Sequence, residues 1–436
     1  MSAPLPAAPA GAPGASADVE AALAAETSAA RDHAAARRLS QREFVALCAM
    51  LTATVAFSID AMLPALPRIA AELTPGDANR AQLVLTSFVL GLGIGTFFAG
   101  PLSDAFGRRP VIFAFAGLYV VGAALAWSAP SLELLLAGRV IQGLGAAGPR
   151  VIAVAIVRDL YQGRAMARIM SFVMLVFTLV PAIAPTLGAG LIAAFGWRGV
   201  FGAFIAFCSI GMAWLAIRQP ETLPRAARRS LSARRLTGTI AEIFSHSVVV
   251  RSIAVQTLIF GGFFGVLSTI QPTFDATFGL AESFPLWFGG IAVVSAVGSL
   301  ANAALVVQVG MIRIVRAALA AQALLAGALA LAVWTGALDG PALFAPFVFW
   351  AFTIFAMAGL TMGNLNAIAM EPLGHVAGMA ASVIGAISTV LAIVIAIPVG
   401  LAFDGTPLPA AAGVAVCCTL ALCVAAGIEE PADSLS

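Results

Sequence analysis

Gly100-Pro101-Leu102-Ser103-Asp104-Ala105-Phe106-Gly107-Arg108-Arg109-Pro110-Val111-Ile112 sets three charges between two long apolar runs, and charge in that setting belongs at a membrane surface. The rest of the chain has the matching composition. Hydrophobic residues make up 61% and charged residues 10%, with a mean hydropathy of +1.00, against roughly a quarter charged in soluble domains. Outward from the loop, apolar runs of about 20 residues, enough to cross a hydrocarbon core of roughly 30 Å, recur between residues 43 and 427. Twelve crossings are expected, over 43–66, 82–103, 110–129, 131–157, 168–194, 198–218, 251–277, 284–308, 312–335, 341–369, 376–402 and 407–427. Lipid offers no partner to an unpaired backbone group, so the expected fold class is an all-α membrane protein.

The basic residues set the orientation. All 23 are arginine, and with the N-terminus inside, 18 of them fall in the inward loops and tails, only Arg68, Arg80 and Arg198 fall outside, and Arg139 and Arg150 lie within the fourth span. The positive-inside rule then puts both termini in the cytoplasm. The Arg-rich polar segment 219–250 separates two sets of six spans, 43–218 and 251–427. Gly107-Arg108-Arg109 is echoed about 200 residues later by Gly310-Met311-Ile312-Arg313, which suggests an internal repeat. Residues 1–42, rich in Ala, Pro and Gly, are expected to form a disordered cytoplasmic tail, and 428–436 a second, short one.

Three ionisable residues fall at membrane depth. Asp60 lies inside the first apolar run, and a carboxylate there costs a few kcal/mol, which suits a group that carries a proton or a cation. Arg139 falls at similar depth in span four. If the two pair, Asp60 is structural; if they do not, it is free for transport. Arg150 follows Arg139 by eleven residues, about 20° around and roughly 16 Å along the same helix, so the pair is expected to share a cavity-facing wall that attracts anionic or electron-rich compounds. Arg150 snorkelling to the surface is the alternative. In span five, Pro181, Pro185, Gly188 and Gly190 offer a kink and close helix contact. Phe260, Phe263, Phe264, Phe347, Trp350 and Phe355 are candidates for an apolar binding wall. The five cysteines and three histidines have no metal-ligand, nucleophile or nucleotide-cradling spacing, which disfavours an enzyme or an ATP-driven pump and implies no cofactor, no metal and no nucleic-acid partner.

The segment Gly100–Ile112 resembles the signature loop of the major facilitator superfamily, Gly-x-Leu-x-Asp-(Arg/Lys)-x-Gly-Arg-(Arg/Lys), departing from it at Ala105. Ile59-Asp60-Ala61-Met62-Leu63-Pro64-Ala65-Leu66-Pro67, Arg139-Val140-Ile141-Gln142-Gly143, Arg158-Asp159, the stretch Pro181 to Gly190 and Ala377-Gly378-Met379-Ala380-Ala381-Ser382 are similar to drug:proton antiporters of the Bcr/CflA (bicyclomycin and chloramphenicol resistance) type. The resemblance implies a monomeric inner-membrane secondary transporter in the bilayer, with two pseudo-symmetric six-helix bundles, exporting hydrophobic small molecules in exchange for protons. It places Asp60, Arg139 and Gln142 at the coupling or substrate site, to which the helix spacing adds Arg150, a residue without a counterpart in the family pattern. Gly100, Asp104, Gly107, Arg108, Arg109, Arg158 and Asp159 would form the cytoplasmic gate, with Asp104 capping a neighbouring helix or pairing with Arg158. A proton-coupled metabolite exporter, an anion-uptake symporter and a transport-inactive sensor on the same fold remain as alternatives.

Overall fold

The computed structural model describes residues 39–429 apart from 229, 230 and 232. Most of the first expected tail, the end of the second and part of the Arg-rich segment thus lie outside the described residues. The described residues are helical and contain no strand. Ten of the helical stretches are long and apolar enough to cross a membrane.

Helix α1 (Gln41–Asp60) is capped by Ser40, whose hydroxyl accepts the Glu43 N–H at 3.2 Å. It stops at Asp60 rather than continuing through residue 66 as expected. The reason is local: the N–H that would bond the Asp60 carbonyl belongs to residue 64, a proline. A 3-10 turn, Leu63–Ala65, bridges to α2 (Leu66–Leu73), leaving a break at membrane depth. Helices α3 (Leu83–Phe106) and α4 (Arg108–Trp127) meet at Gly107, and α5 (Leu132–Leu160) follows. Helix α6 (Gly163–Arg218) contains two of the expected spans, joined where Gly196 leaves helical geometry at φ 70°. The expected kink residues Pro181 and Pro185 lie inside this helix, upstream of Gly196.

After the short α7 (Ala233–Ser245) come α8 (Ser247–Ala276), α9 (Phe284–Val309) and α10 (Met311–Trp334). Helices α11 (Gly340–Met370) and α12 (Ala377–Leu401) are joined by a 3-10 turn, Glu371–Val376, and α13 (Leu408–Ala425) ends the described helices. Helix α5 packs between α3 and α4 along a rail of small residues. A Cβ on Gly143 would come within 1.9 Å of the Phe88 carbonyl oxygen, and one on Gly145 within 2.2 Å of the Tyr119 nitrogen. Helix α8 similarly sits against α12 and α13. The broadest contacts between helices of 41–218 and those of 247–425 are α3 with α12 and α6 with α9. The sequence echo has a geometric counterpart: Gly107 (φ 103°, ψ 158°) and Gly310 (φ 95°, ψ 151°) turn the chain into α4 and α10 with nearly the same backbone, in a region that L side chains rarely adopt.

Candidate functional site

Two constellations stand out, one at the break after α1 and one at the signature loop. At the break, Asp60 is 5% exposed. Among the described residues its carboxylate forms no ion pair: Arg139, whose pairing with it the sequence left open, is committed elsewhere. Arg139 is fully buried. Its Nε donates to the Val84 carbonyl at 3.1 Å, one terminal nitrogen to the Gln142 Oε1 at 2.8 Å and the other to the Ser58 carbonyl at 3.0 Å, and the guanidinium stacks over Phe88 at 4.3 Å. Ser58 lies in the last turn of α1, where carbonyls run out of intrahelical donors, and a cation at a helix C-terminus is favourable. Arg139 therefore ties off the broken helix two residues from Asp60. It does not share a cavity wall with Arg150, as their spacing suggested, because three polar partners and an aromatic face draw it into the protein.

The Ser58 hydroxyl is itself 2.6 Å from the Tyr119 hydroxyl, joining α1 to α4. Across the break, Gly188 of α6 lies so close that a Cβ would approach the Ala61 carbonyl oxygen to 2.2 Å, whereas Gly190 has open space around its Cα. Only one of the two span-five glycines is thus needed for close contact. The aromatic candidates pack largely on one another, with Phe263 and Phe355 centroids 4.9 Å apart and Phe347 and Trp350 each 2% exposed.

At the signature loop Arg108 is the hub. Its Nε and a terminal nitrogen grip both Asp159 oxygens at 2.9 and 3.2 Å. The other terminal nitrogen reaches Asp104 Oδ1 at 2.5 Å and the Ser103 hydroxyl at 2.8 Å. Asp104 pairs with Arg108 four residues on, in place of the expected Arg158 or a helix cap. Glu221, which sequence reasoning missed, accepts the Arg108 and Arg109 backbone N–H groups at 2.9 and 3.0 Å, so a carboxylate from beyond α6 caps the orphan donors of α4. Thr222 adds a hydroxyl to Asp159 at 2.8 Å, and the Arg109 side chain donates to the Ala216 carbonyl at 2.7 Å. Gly107 sits under this cluster, and Gly100 faces the Ser382 hydroxyl of α12.

The pairs differ in burial, and that predicts a ranking. Asp159 is 16% exposed at its side chain and Asp104 47%. Exposed pairs contribute roughly 0.2–1 kcal/mol, whereas a hydrogen bond to a buried charge contributes about 1.5–3 kcal/mol. Asp159→Asn is expected to lower the thermal midpoint of the purified protein clearly more than Asp104→Asn; equal midpoints would refute a gate organised on Asp159.

Arg150 and Arg158 lie on α5, exposed to a cavity of about 270 Å³ at the signature-loop end, with Ser382 and Gly378 of α12 opposite. At the other end, Asn79 donates to the Leu401 and Phe403 carbonyls at 3.0 and 2.7 Å. That bond ties the α2–α3 connection to the end of α12, beside a cavity of about 340 Å³ that includes Gln82, Gln271 and Asp275.

The sequence model described as Major Facilitator Superfamily matches residues 46–398. An uncharacterised MFS-type transporter, YdgK of Bacillus subtilis, is 28% identical over 363 residues, 81% of this chain and 88% of its own. The bicyclomycin resistance protein homologue of Haemophilus influenzae is 27% identical, over 64% of this chain and 70% of its own. Multidrug resistance protein MdtL of Escherichia coli K12 is 32% identical over 46% of this chain and 51% of its own. Among solved structures, a D-xylose–proton symporter superposes with TM-score 0.72 at 16% identity, covering 91% of this chain and 99% of that one. A peptide transporter bound to sulfate gives 0.70 at 14% identity, covering 92% and 97%.

Proposed function

The chain belongs to the Major Facilitator Superfamily, and from that premise we propose that it exports hydrophobic, drug-like molecules across the bacterial inner membrane in exchange for protons, by alternating access. It is a multi-pass membrane transporter whose ten apolar helical stretches become twelve crossings when α6 is divided at Gly196 and the stretch Gly340–Leu401 at its 3-10 turn. Two six-helix halves, 43–218 and 251–427, with both termini cytoplasmic, accord with the arginine distribution and with the matched turns at Gly107 and Gly310. The signature loop is then the cytoplasmic gate, Asn79 an outer latch, and a single chain the working unit.

The observation that carries the reading is Asp60, a carboxyl held at a helix break, enclosed by protein and without an ionic partner among the described residues, while the nearby cation is engaged elsewhere. A buried acid that is not spent on structure is available to take up and release a proton. The bicyclomycin and multidrug resistance relatives support the substrate class.

The experiment is proton movement in liposomes carrying an internal pH-sensitive dye, with an imposed pH gradient and a panel of hydrophobic antibiotics and dyes. Compound-dependent proton flux is expected. Silence across the panel from folded, oriented protein would overturn drug:proton antiport.

A further inference from the structure

The cavity of about 270 Å³ at the signature-loop end has a lining that the coupling scheme leaves unused. It draws on five helices: Thr52 of α1, Thr96 of α3, Arg150 and Arg158 of α5, Met174 of α6 and Ser382 of α12 are among its walls, and no acidic residue lines it among the described residues. Among the described residues Arg150 and Arg158 have neither an ion pair nor a hydrogen bond, in contrast to Arg108, Arg139, Arg198 and Arg218. Arg150 precedes the end of α5 by ten residues, about 15 Å of helix, which is beyond the reach of a guanidinium snorkelling to the headgroups from that depth. Arg158 lies nearer the mouth, about 12 Å along the helix. Its terminal nitrogens are the nearest neighbours of a Cβ built on Gly378, at 3.6 and 3.8 Å. Gly378 is in the first turn of α12, whose N-cap residue Val376 supplies no side-chain acceptor, so the positive end of that helix adds to the two guanidinium charges.

A pocket with three sources of positive potential and, among the described residues, no fixed counter-charge calls for a mobile anion. Valines 151, 154 and 173 and Met174 make the remaining wall apolar. We propose that this cavity binds a small organic monoanion with an apolar body, its carboxylate gripped by Arg150 after capture at Arg158. As the vestibule of an export path, the site rests on the transport reading above and narrows it to amphipathic acids; as a binding site it stands alone.

The shared chemistry admits a second source, the phosphate of an anionic lipid, and the test separates the two. Full-length protein in nanodiscs of zwitterionic phosphatidylcholine is titrated with 2-naphthoate and, separately, with neutral 2-naphthamide, by calorimetry. Naphthoate is expected to bind, with Arg150→Gln weakening it by about tenfold or more, the size of a lost charge-assisted hydrogen bond. Arg150→Lys, which keeps the charge but loses the fork, should fall between. Arg158→Gln, at the rim, should weaken naphthoate binding less than Arg150→Gln does, with its effect largest at low salt, since a rim charge acts through screened attraction. Naphthamide should bind weakly and be indifferent to both variants. Unchanged naphthoate affinity in folded Arg150→Gln, or equal affinity for the amide, overturns the proposal. So does Arg150-dependent exclusion of naphthoate when phosphatidylglycerol is added, which would assign the site to a lipid headgroup. No gradient enters this measurement. Failure of proton antiport in liposomes leaves a positive result intact, and loss of naphthoate binding leaves antiport untouched.

Discussion

Asp60→Asn is expected to abolish compound-dependent proton flux in liposomes, with a fall of about a hundredfold or more, while leaving the protein folded. The expectation follows from shape and charge together. Asparagine is nearly isosteric, so the break between α1 and α2 keeps its packing against Gly188 and its tie to Arg139, but an amide neither gains nor loses a proton near neutral pH. A charged aspartate at the centre of a membrane helix costs about 2.5–3.5 kcal/mol on insertion scales, and among the described residues no ion pair offsets that cost. The substitution is therefore expected to hold or raise the thermal midpoint, the signature of a residue kept for function at the expense of stability. Exchange of labelled compound for unlabelled compound, which needs no net proton movement, should survive. Proton flux at the original rate in Asp60→Asn would remove the residue from the mechanism, and loss of exchange together with flux would make it a substrate ligand instead.

Much of this arrangement was legible because a few residue types have narrow physical uses. The end of α1 was not among the legible parts: the apolar run carried the expected span through residue 66, past Pro64, whose missing N–H stops the helix at Asp60. Gly107 and Gly310 mark two turns of positive φ, and their spacing reveals the matched backbone. The apolar runs follow from lipid's lack of hydrogen-bonding partners. The partner choices were not legible, and for different reasons. Arg139 bonds two backbone carbonyls, Val84 and Ser58, and a carbonyl leaves no trace in residue identity. Arg158 and Asp159 are neighbours pointing about 100° apart on one helix, so only the register of α5 against the loop decides that Asp159 meets Arg108 while Arg158 faces the cavity. Glu221 lies 113 residues from the backbone it caps, and its role depends on how α6 returns to the loop.

The same logic makes Arg139 the residue on which the break depends. Substitution to glutamine should leave the Ser58 carbonyl without its donor, strip the Phe88 ring of its stacked cation and free Gln142. Each buried acceptor left unsatisfied costs about 1–3 kcal/mol, so a loss on the order of 3 kcal/mol or more is expected, read as a large drop in thermal midpoint and in monodisperse yield. Lysine should rescue only in part: its ammonium can meet one or two of three acceptors that the planar guanidinium meets together. Coupling should follow stability, because the end of α1 holds Asp60 in place. In whatever fraction of Arg139→Lys folds, substrate exchange is expected to persist while proton flux per exchange falls. A variant with unchanged midpoint and impaired substrate affinity would instead make Arg139 a ligand for substrate, which its full burial and three protein partners argue against.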